Sequence, residues 1–348
     1  MLGGAISALA TMPVWAVVLL VLVLLALLVA LLWGLRRRAT EPDRPAKAQR
    51  RERKARDPTG MWRACRQFHA RLGQAFPGTR SRYRLPLFIA VGPSREAIAD
   101  AVRGCGMSQP LGDSLRSGGL TWTAFDKAAV VEVDPGVILD ERGRGDRWRA
   151  FIRLLQRFRP QRPADGVLLV LPAQHLEGSD TADEAHIREA EQIRERLADL
   201  ENQLCMSLPI HCVVAHAEAV PGFAALGEAL PAYQLNRPLG YASPYGAREA
   251  YRSELVDDAV ASLRGRVQRL VLEALAVDRG SVDADALFRL PAALDRLRPG
   301  LRSYLDTVMQ PGQYARLTSL RGIYIGGEVA VGPGQRERTG AFVRAALV

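Results

Sequence analysis

The sequence predicts an α/β protein with a mostly parallel sheet and flanking helices, followed by a helical extension and preceded by one transmembrane helix. Three observations predict this class. Apolar runs of strand length alternate with amphipathic helical patterns between residues 87 and 215, which is typical of parallel sheets covered on both faces. Beyond residue 245 the pattern becomes helical, and the chain begins with a long uncharged run.

The N-terminal segment 1–35 is predicted to anchor the chain in a membrane. Residues 14–33 are all apolar, and the first charged side chain is that of Arg36. A helix of about 20 such residues spans the roughly 30 Å hydrocarbon core of a bilayer. Because positive residues next to a span stay in the cytoplasm, we expect a single-pass protein with its N-terminus outside and its body in the cytoplasm.

Residues 36–57 are predicted to be a basic linker. Ten Lys and Arg residues stand against three acidic residues between positions 36 and 56. One interpretation is a solvated tether that also sets the topology. The other is contact with anionic lipid, through Arg36, Arg37, Arg38, Arg50 and Arg51. No nucleic-acid partner is expected, because the body lacks a basic patch interleaved with aromatic residues.

The elements of the body follow from hydrophobic periodicity. The pattern predicts helices over residues 59–75, 94–105, 146–158 and 183–205, a hairpin of residues 120–125 with 128–134, and buried strands over 87–91, 166–172 and 208–215. After the helical segments that follow residue 245, residues 321–327 are predicted to return to the sheet edge as a last strand. The Gly-rich ending, residues 328–348, is predicted to be a loop or a frayed tail.

Two cysteines and two histidines cluster in sequence: Cys205, His211, Cys212 and His216. A zinc site needs four ligands that converge tetrahedrally. Neighbouring residues of a strand point to opposite faces, so His211 and Cys212 do not both face one ion. We therefore expect no metal site. The four cysteines lack CxxC spacing and indicate free thiols in a reducing compartment.

Five stretches of the sequence, taken in order, resemble the cytoplasmic domain of the IcmF/TssM family, an inner-membrane component of type VI secretion. They are LPLFIAVGP (85–93), GGLTWTAFDKAAVVEVDPG (118–136), WRAFIRLLQRFRPQRPADGVLLVL (148–171), LPIHCVVAHAEAVPGF (208–223) and LTSLRGIYIGG (317–327). The RFRPQRPADGVLLVL block is the most specific. The resemblance covers residues 83–327 and implies a P-loop NTPase-like, GTPase-like domain over 58–240. A helical extension with a final strand then covers 241–327, before the tail.

The strand–turn–helix at residues 87–105 has the frame of a phosphate loop without its chemistry. In the motif GxxxxGK[ST], backbone amides surround the phosphates, the lysine neutralises them and the hydroxyl binds magnesium. Counted from Gly92, the positions of the second glycine, the lysine and the hydroxyl hold Ala97, Ile98 and Ala99. We interpret this loop as vestigial.

The two other nucleotide motifs that the resemblance implies are also altered. The magnesium motif DTAG reads VDPG, which leaves Asp134 and Gly136, and the guanine motif TKxD reads AHAE, which leaves Ala215, His216 and Glu218. Loss of the lysine and the hydroxyl together removes main sources of phosphoryl-transfer catalysis. We therefore expect no catalytic residue, no bound cofactor and no enzymatic activity.

The resemblance implies a membrane-anchored, catalytically inactive scaffold or accessory subunit of a type VI secretion membrane complex in the bacterial inner membrane. Its expected partners are other membrane-complex or baseplate proteins. Two alternatives stay open: a working NTPase that uses Asp134, Glu218 or a lysine from elsewhere, and a regulator that competes with a full-length homologue. Full-length members carry a second span and a large periplasmic region, so a chain ending at Val348 is expected to be a shortened member.

Overall fold

The computed structural model describes residues 60–339, with gaps at 79, 106, 108–110, 140–144, 178–183, 232–236, 247–248, 278–282, 311–318 and 333–334. The predicted membrane helix and the basic linker, with its five candidate lipid-contacting arginines, lie outside the described residues. Among those that are described, no helix has both the length and the apolar character needed to cross a bilayer.

One eight-stranded mixed sheet forms the centre of the body, in the order β2-β3-β4-β1-β5-β6-β8-β7. The strands are β1 Leu87–Val91, β2 Leu115–Ser117, β3 Leu120–Ala124, β4 Ala129–Val133, β5 Gly166–Pro172, β6 Pro209–Ala215, β7 Leu239–Ala242 and β8 Ser319–Ile325. Five neighbouring strands, β4, β1, β5, β6 and β8, run parallel. The other three strands, β2, β3 and β7, pair antiparallel with their neighbours. The predicted α/β class, with a mostly parallel sheet and flanking helices, is confirmed.

The helices surround this sheet. In chain order they are α1 Met61–Ala75, α2 Arg95–Arg103, α3 Pro135–Ile138, α4 Asp146–Phe158, α5 Glu184–Leu204, α6 Phe223–Ala229, α7 Glu254–Val277, α8 Ala284–Arg296 and α9 Arg298–Met309. A separate antiparallel hairpin, β9 Gly327–Gly332 with β10 Gln335–Thr339, follows β8.

The two faces of the sheet build two apolar cores because strand side chains alternate. On β1, Leu87, Ile89 and Val91 belong to the larger core, whereas Phe88 and Ala90 belong to the smaller one. All the described helices except α2 contribute residues to the larger core. Among the described helices, α2 is the one that contributes to the smaller core.

The structure corrects two sequence expectations and adds one strand. The described residues between 328 and 339 are not the predicted loop or frayed tail, because β9 and β10 pair. The last sheet strand, β8, does not lie at the edge, because β7 pairs with its outer side. The short edge strand β2 was not predicted; it pairs with β3 through a two-residue turn at Gly118 and Gly119, whose φ values are 64° and 81°.

The RFRPQRPADGVLLVL block builds a buried ion pair where β1 and β5 begin. The Arg159 Nη1 and Asp165 Oδ2 atoms lie 3.1 Å apart, with side chains 2% and 5% exposed. Asp165 Oδ2 also accepts a hydrogen bond from the Leu87 amide at 2.7 Å. The Arg159 guanidinium stacks over the Tyr83 ring at 5.2 Å. This pair therefore joins the segment before β5 to the start of β1.

Candidate functional site

The three groups of candidate residues, around Gly92, Asp134 and His216, lie at the edge of the sheet where the parallel strands have their carboxyl ends. Parallel strands bring their carboxyl ends together, and ligands of open α/β sheets bind at that edge. Gly92 follows β1, Asp134 follows β4 and His216 follows β6, and these strands stand in the order β4-β1-β5-β6. The edge therefore has the position of a ligand site, whatever its present chemistry.

The loop after β1 is packed against its neighbouring strand. A Cβ atom built on Gly92 would lie 2.1 Å from the carbonyl oxygen of Val170 in β5, so this position has no room for a larger residue. Ser94 caps α2, accepting a hydrogen bond at 3.2 Å from the Ala97 amide. The glycine and the serine are thus used in building the strand-to-helix turn.

The positions that would hold the phosphate-binding side chains belong to α2. Ala97 and Ile98 are 0% and 1% exposed and pack in the smaller core. Ala99 is half-buried, and its carbonyl oxygen accepts a hydrogen bond from Arg103. The side chain at the lysine position therefore faces the sheet in the interior of the protein.

Asp134 is engaged by protein groups on both of its oxygens. Oδ1 accepts a hydrogen bond at 3.0 Å from the Gly136 amide and caps α3. Oδ2 lies 3.3 Å from Arg95 Nη1 and 4.0 Å from Arg116 Nη2. Two guanidiniums thus approach this carboxylate, which stands one position after the place that the family resemblance assigns to a magnesium ligand.

Glu132, which the sequence analysis did not select, lies beside this ion pair. Burial raises the pKa of its carboxyl to about 7, against the opposing effect of Arg103 and Arg95. A cavity of about 10 Å³ is lined by Glu132, Asp134, Arg95 and Arg116 among others. That volume holds about one water molecule, whereas small-molecule sites commonly measure roughly 300–1,000 Å³.

The third group, Ala215, His216 and Glu218 after β6, makes contacts with α2 and with β9. His216 has a left-handed backbone, with φ of 55°, and its Nε2 lies 3.1 Å from Asp100 Oδ2 in α2. Glu218 Oε2 accepts a hydrogen bond at 2.9 Å from the Glu328 amide in β9. Ala215 is buried, 2% exposed. The carboxylate at the base-reading position therefore binds the backbone that follows β8.

The cysteine and histidine cluster does not converge. Cys212 packs in the larger core, and burial raises its thiol pKa to about 12. His211 stands against Phe88 and Tyr324 on the opposite face, and burial lowers its pKa to about 4. Within the described ranges, no group of three or more His, Cys, Asp or Glu side chains is arranged to hold a metal ion.

Two comparisons with known proteins bear on identity. The model of the IcmF-related N-terminal domain matches residues 141–346. The type VI secretion system component TssM1 of Pseudomonas aeruginosa is 26% identical over 260 residues, which cover 70% of this chain and 23% of that protein. The chain therefore spans about a quarter of the length of this relative.

The matched family region includes the RFRPQRPADGVLLVL block and residues 215–218, whereas the loop after β1 and Asp134 precede it. More than half of the sequence lies inside the match. The chain belongs to the IcmF/TssM family of type VI secretion components.

Proposed function

We propose that this chain is a membrane-anchored, catalytically inactive GTPase-like subunit of a type VI secretion membrane complex. Family membership supports the secretion role. The proposed inactivity rests on one observation. The carboxylate of Asp134 is paired with Arg95 and Arg116, while Ile98 occupies the lysine position in the core.

The physical argument concerns charge. A nucleotide triphosphate with magnesium needs a cation beside the phosphates and an oxygen ligand for the metal. Here the side chain at the lysine position is apolar, and the carboxylate already faces two guanidiniums. Magnesium would have to compete with both guanidiniums for Asp134, and these guanidiniums already face that carboxylate, so neither is free to take the place of the lysine.

The strand order supports a GTPase-like ancestry for this edge. The first strand of the sheet lies in its middle, and the chain continues on one side to β4 and then on the other to β5. In open α/β sheets, ligands bind at the carboxyl ends of the strands where the strand order reverses in this way, here beside β1. Gly92 is the residue that follows this central strand. We infer that the fold is retained for the surfaces that it presents to partners.

Nucleotide titration tests the proposed inactivity. The full chain, reconstituted in lipid nanodiscs, is titrated with fluorescent GTP and ATP analogues in the presence of magnesium, beside an active P-loop GTPase as a positive control. We expect no saturable binding up to millimolar nucleotide and no phosphate release. Micromolar binding would favour the alternative of a working NTPase with a non-standard site.

Co-purification tests the secretion role and separates a subunit from a competitor. The tagged chain is isolated from its native membranes in the presence and in the absence of a full-length family member. A subunit is recovered with the membrane complex in the presence of the homologue. A regulator displaces the homologue, so the two never occur in one complex. Recovery with neither would contradict both.

Membrane attachment is a separate part of the proposal. The apolar residues 14–33 would form the inner-membrane span, with the N-terminus in the periplasm and the body in the cytoplasm,. Membranes extracted with alkaline carbonate should retain the full chain and lose a variant that starts at Thr59. Of two reporters fused at the C-terminus, one that works only in the cytoplasm should be active and one that works only in the periplasm should be inactive. Release of the full chain by carbonate would refute the anchor.

A further inference from the structure

Two segments of the body are rich in arginine and contain no carboxylate side chain. Residues 61–86 and 147–164 have six arginines each and no aspartate or glutamate. They include all of α1 and most of α4, two helices that pack against each other and contribute to the larger core. Because the helices are far apart in the sequence, the charge pattern along the chain does not show that their arginines share one surface.

Ring contacts join α1 to α4 along one seam. The Arg157 guanidinium of α4 lies over the Trp62 ring of α1, 5.7 Å from its centroid. Further along α1, His69 makes an edge contact with Phe158 of α4 at 5.8 Å. Trp62, Arg66 and His69 recur at helical spacing. Arg66 therefore lies on the side of α1 that faces this seam.

Four arginines along the seam form what we call the basic surface: Arg63 and Arg66 of α1, and Arg153 and Arg157 of α4. Members on the same helix stand three or four residues apart, so they are neighbours on its surface. All four side chains are exposed. Within the described residues none of the four forms an ion pair with a carboxylate, whereas three nearby arginines do: Arg149, Arg159 and Arg162.

The charge of the basic surface is not balanced by the acidic residues that flank it in sequence. Asp146 pairs with Arg149, and Asp165 has a side chain that is 5% exposed and pairs with Arg159. The four guanidiniums stand on successive turns of two helices, so they are spread along the surface. Such an arrangement suits an extended anionic surface better than one small anion.

Two features favour lipid headgroups over nucleic acid. Basic surfaces that bind single-stranded nucleic acid also present aromatic rings on which bases stack, but Trp62 is half-buried and its ring already lies under Arg157. In addition, α1 begins soon after the basic linker 36–57, which follows the apolar residues 14–33. If the chain is anchored as proposed, α1 is the described helix nearest in sequence to the bilayer.

We propose that the basic surface docks on the anionic phospholipid headgroups of the membrane in which the chain is anchored. Its guanidiniums donate hydrogen bonds to lipid phosphates, which they match in a two-bond geometry. The helices on the larger-core face, α1 and α4, then face the bilayer, and α2 faces away from it. This inference rests on the proposed membrane attachment, and it adds an orientation of the folded body that the linker alone does not give.

Quenching of a single fluorescent label tests the docking. Cys205→Ser removes the exposed native thiol, and Ala70→Cys places a label on α1, one turn after Arg66. The full chain is reconstituted in nanodiscs that contain a lipid with a spin-labelled headgroup, with or without phosphatidylglycerol as the anionic lipid. We expect strong quenching with phosphatidylglycerol, weak quenching without it, and release by high salt. A label at Ala99→Cys, on α2 across the sheet, is the control and should be quenched in neither kind of disc.

Charge variants locate the surface. Arg66→Gln combined with Arg153→Gln should lower the docking equilibrium constant about thirtyfold, since each basic side chain near an anionic surface contributes about fivefold. Lysine at the same two positions keeps the charge and should stay within about threefold of the unmodified chain. Arg188→Gln combined with Arg252→Gln removes as much charge from exposed ion pairs elsewhere and should leave docking unchanged. Circular dichroism and denaturant midpoints check that each variant is folded.

Three outcomes would overturn the docking: equal quenching at position 70 with and without phosphatidylglycerol, unchanged quenching in the double glutamine variant, or equal quenching at positions 70 and 99. Protection of the position-70 label by native membrane proteins, but not by anionic discs, would overturn it in favour of an acidic protein partner. Failure of the chain to co-elute with neutral discs would contradict the attachment instead. The same label, read after anionic vesicles are added to the detached chain, would then decide the docking.

Discussion

At the scale of single residues, two buried titratable groups on the smaller-core face have opposite effects on stability. Burial raises the pKa of Glu132 from 4.5 to about 7, and burial lowers the pKa of His211 from 6.5 to about 4. Each group is therefore favoured in its neutral form in the folded protein. Between about pH 4.5 and 6.5 the unfolded chain ionises both groups.

The signs follow from proton linkage. For Glu132 the folded state binds the proton more tightly, so its contribution to stability is complete below pH 4.5 and is lost as the pH rises through about 7. For His211 the unfolded state binds the proton more tightly, so its contribution is present above pH 6.5 and is lost as the pH falls towards about 4. Over the shared window the two slopes oppose each other.

Glu132→Gln should therefore change the pH dependence of stability. Without the carboxyl, the free energy of unfolding, relative to that of the unmodified protein, should increase from pH 5 to pH 8. The difference is at most about 3 kcal/mol, since one pKa unit corresponds to about 1.4 kcal/mol. Denaturant unfolding followed by tryptophan fluorescence measures it.

His211→Gln is the matched comparison, and its stability relative to the unmodified protein should increase in the opposite direction, from pH 8 to pH 5. Parallel pH profiles for the unmodified protein and both variants would show that neither group titrates as the geometry indicates.

The residue scale also shows what the sequence could reveal of the candidate site. The altered motif positions at Ala97, Ile98 and Ala99 were visible as letters. The two guanidiniums that pair with Asp134 were not. Arg116 lies on an unpredicted strand, and Arg95 comes close to Asp134 only because β1, which precedes α2, pairs with β4. Such contacts depend on strand order, which local sequence patterns do not encode.

At the scale of secondary-structure elements, the turn from β1 into α2 depends on the absence of a side chain. Val170 of β5 approaches Gly92 so closely that a methyl group would overlap its carbonyl oxygen. The turn is therefore fixed by strand packing, and the glycine remains necessary without any phosphate to bind.

Gly92→Ala should destabilise the protein by about 2 kcal/mol or more, because β1 and β5 must separate to admit the methyl group. Gly73→Ala in α1 is the control, since nothing lies within 4 Å of its new Cβ atom. This second change should stabilise the helix by roughly 0.5–1 kcal/mol. Equal effects on the denaturation midpoint would contradict the packing argument.

The segment between α4 and β5 carries a second constraint, the buried pair of Arg159 and Asp165. Breaking a buried ion pair costs about 3–5 kcal/mol, because one charge is left without a partner. Asp165→Ala should show this loss in denaturant unfolding. Asp146→Ala, which removes an exposed carboxylate paired with Arg149, should change stability by less than about 1 kcal/mol,.

Helices and strands could be predicted where burial of one face gives the sequence a regular spacing of apolar residues. The long apolar runs of β5 and β6 and the amphipathic pattern of α4 were found with nearly their observed bounds. The three-residue strand β2 and the four-residue strand β7 are too short for a period to emerge. The Gly118-Gly119 pair is a local sequence signal for the β2–β3 hairpin.

At the scale of the whole molecule, the sheet is completed by the chain that follows the helices. β8 lies between β6 and β7, although α7, α8 and α9 separate it from both in sequence. Residues of these helices also belong to the same core as those of α1, α4 and α5. The residues before β7 therefore need those after β7 to complete the sheet and the larger core.

A chain that ends after Ser253 should consequently fail to fold. It lacks β8, which leaves an unpaired parallel edge on β6, and it lacks the helices that cover the larger core. Limited proteolysis and size-exclusion chromatography should show rapid cleavage and aggregation. A chain that ends after Thr339 retains every described element and is expected to resist the protease. Equal resistance of both would indicate an independent first half.

The two sides of the sheet differ in how firmly they are closed. One described helix, α2, shields the smaller core. Its first residue, Arg95, forms an ion pair with Asp134 after β4, and Asp100 in its second half lies within hydrogen-bond distance of His216 after β6. Dissolved ions weaken an ion pair such as Arg95–Asp134, which faces water. Raising the ionic strength should accordingly increase local opening of α2 at conditions where the rest of the protein stays folded. Amide hydrogens of β1 beneath it would then exchange with solvent sooner than those of the opposite helices.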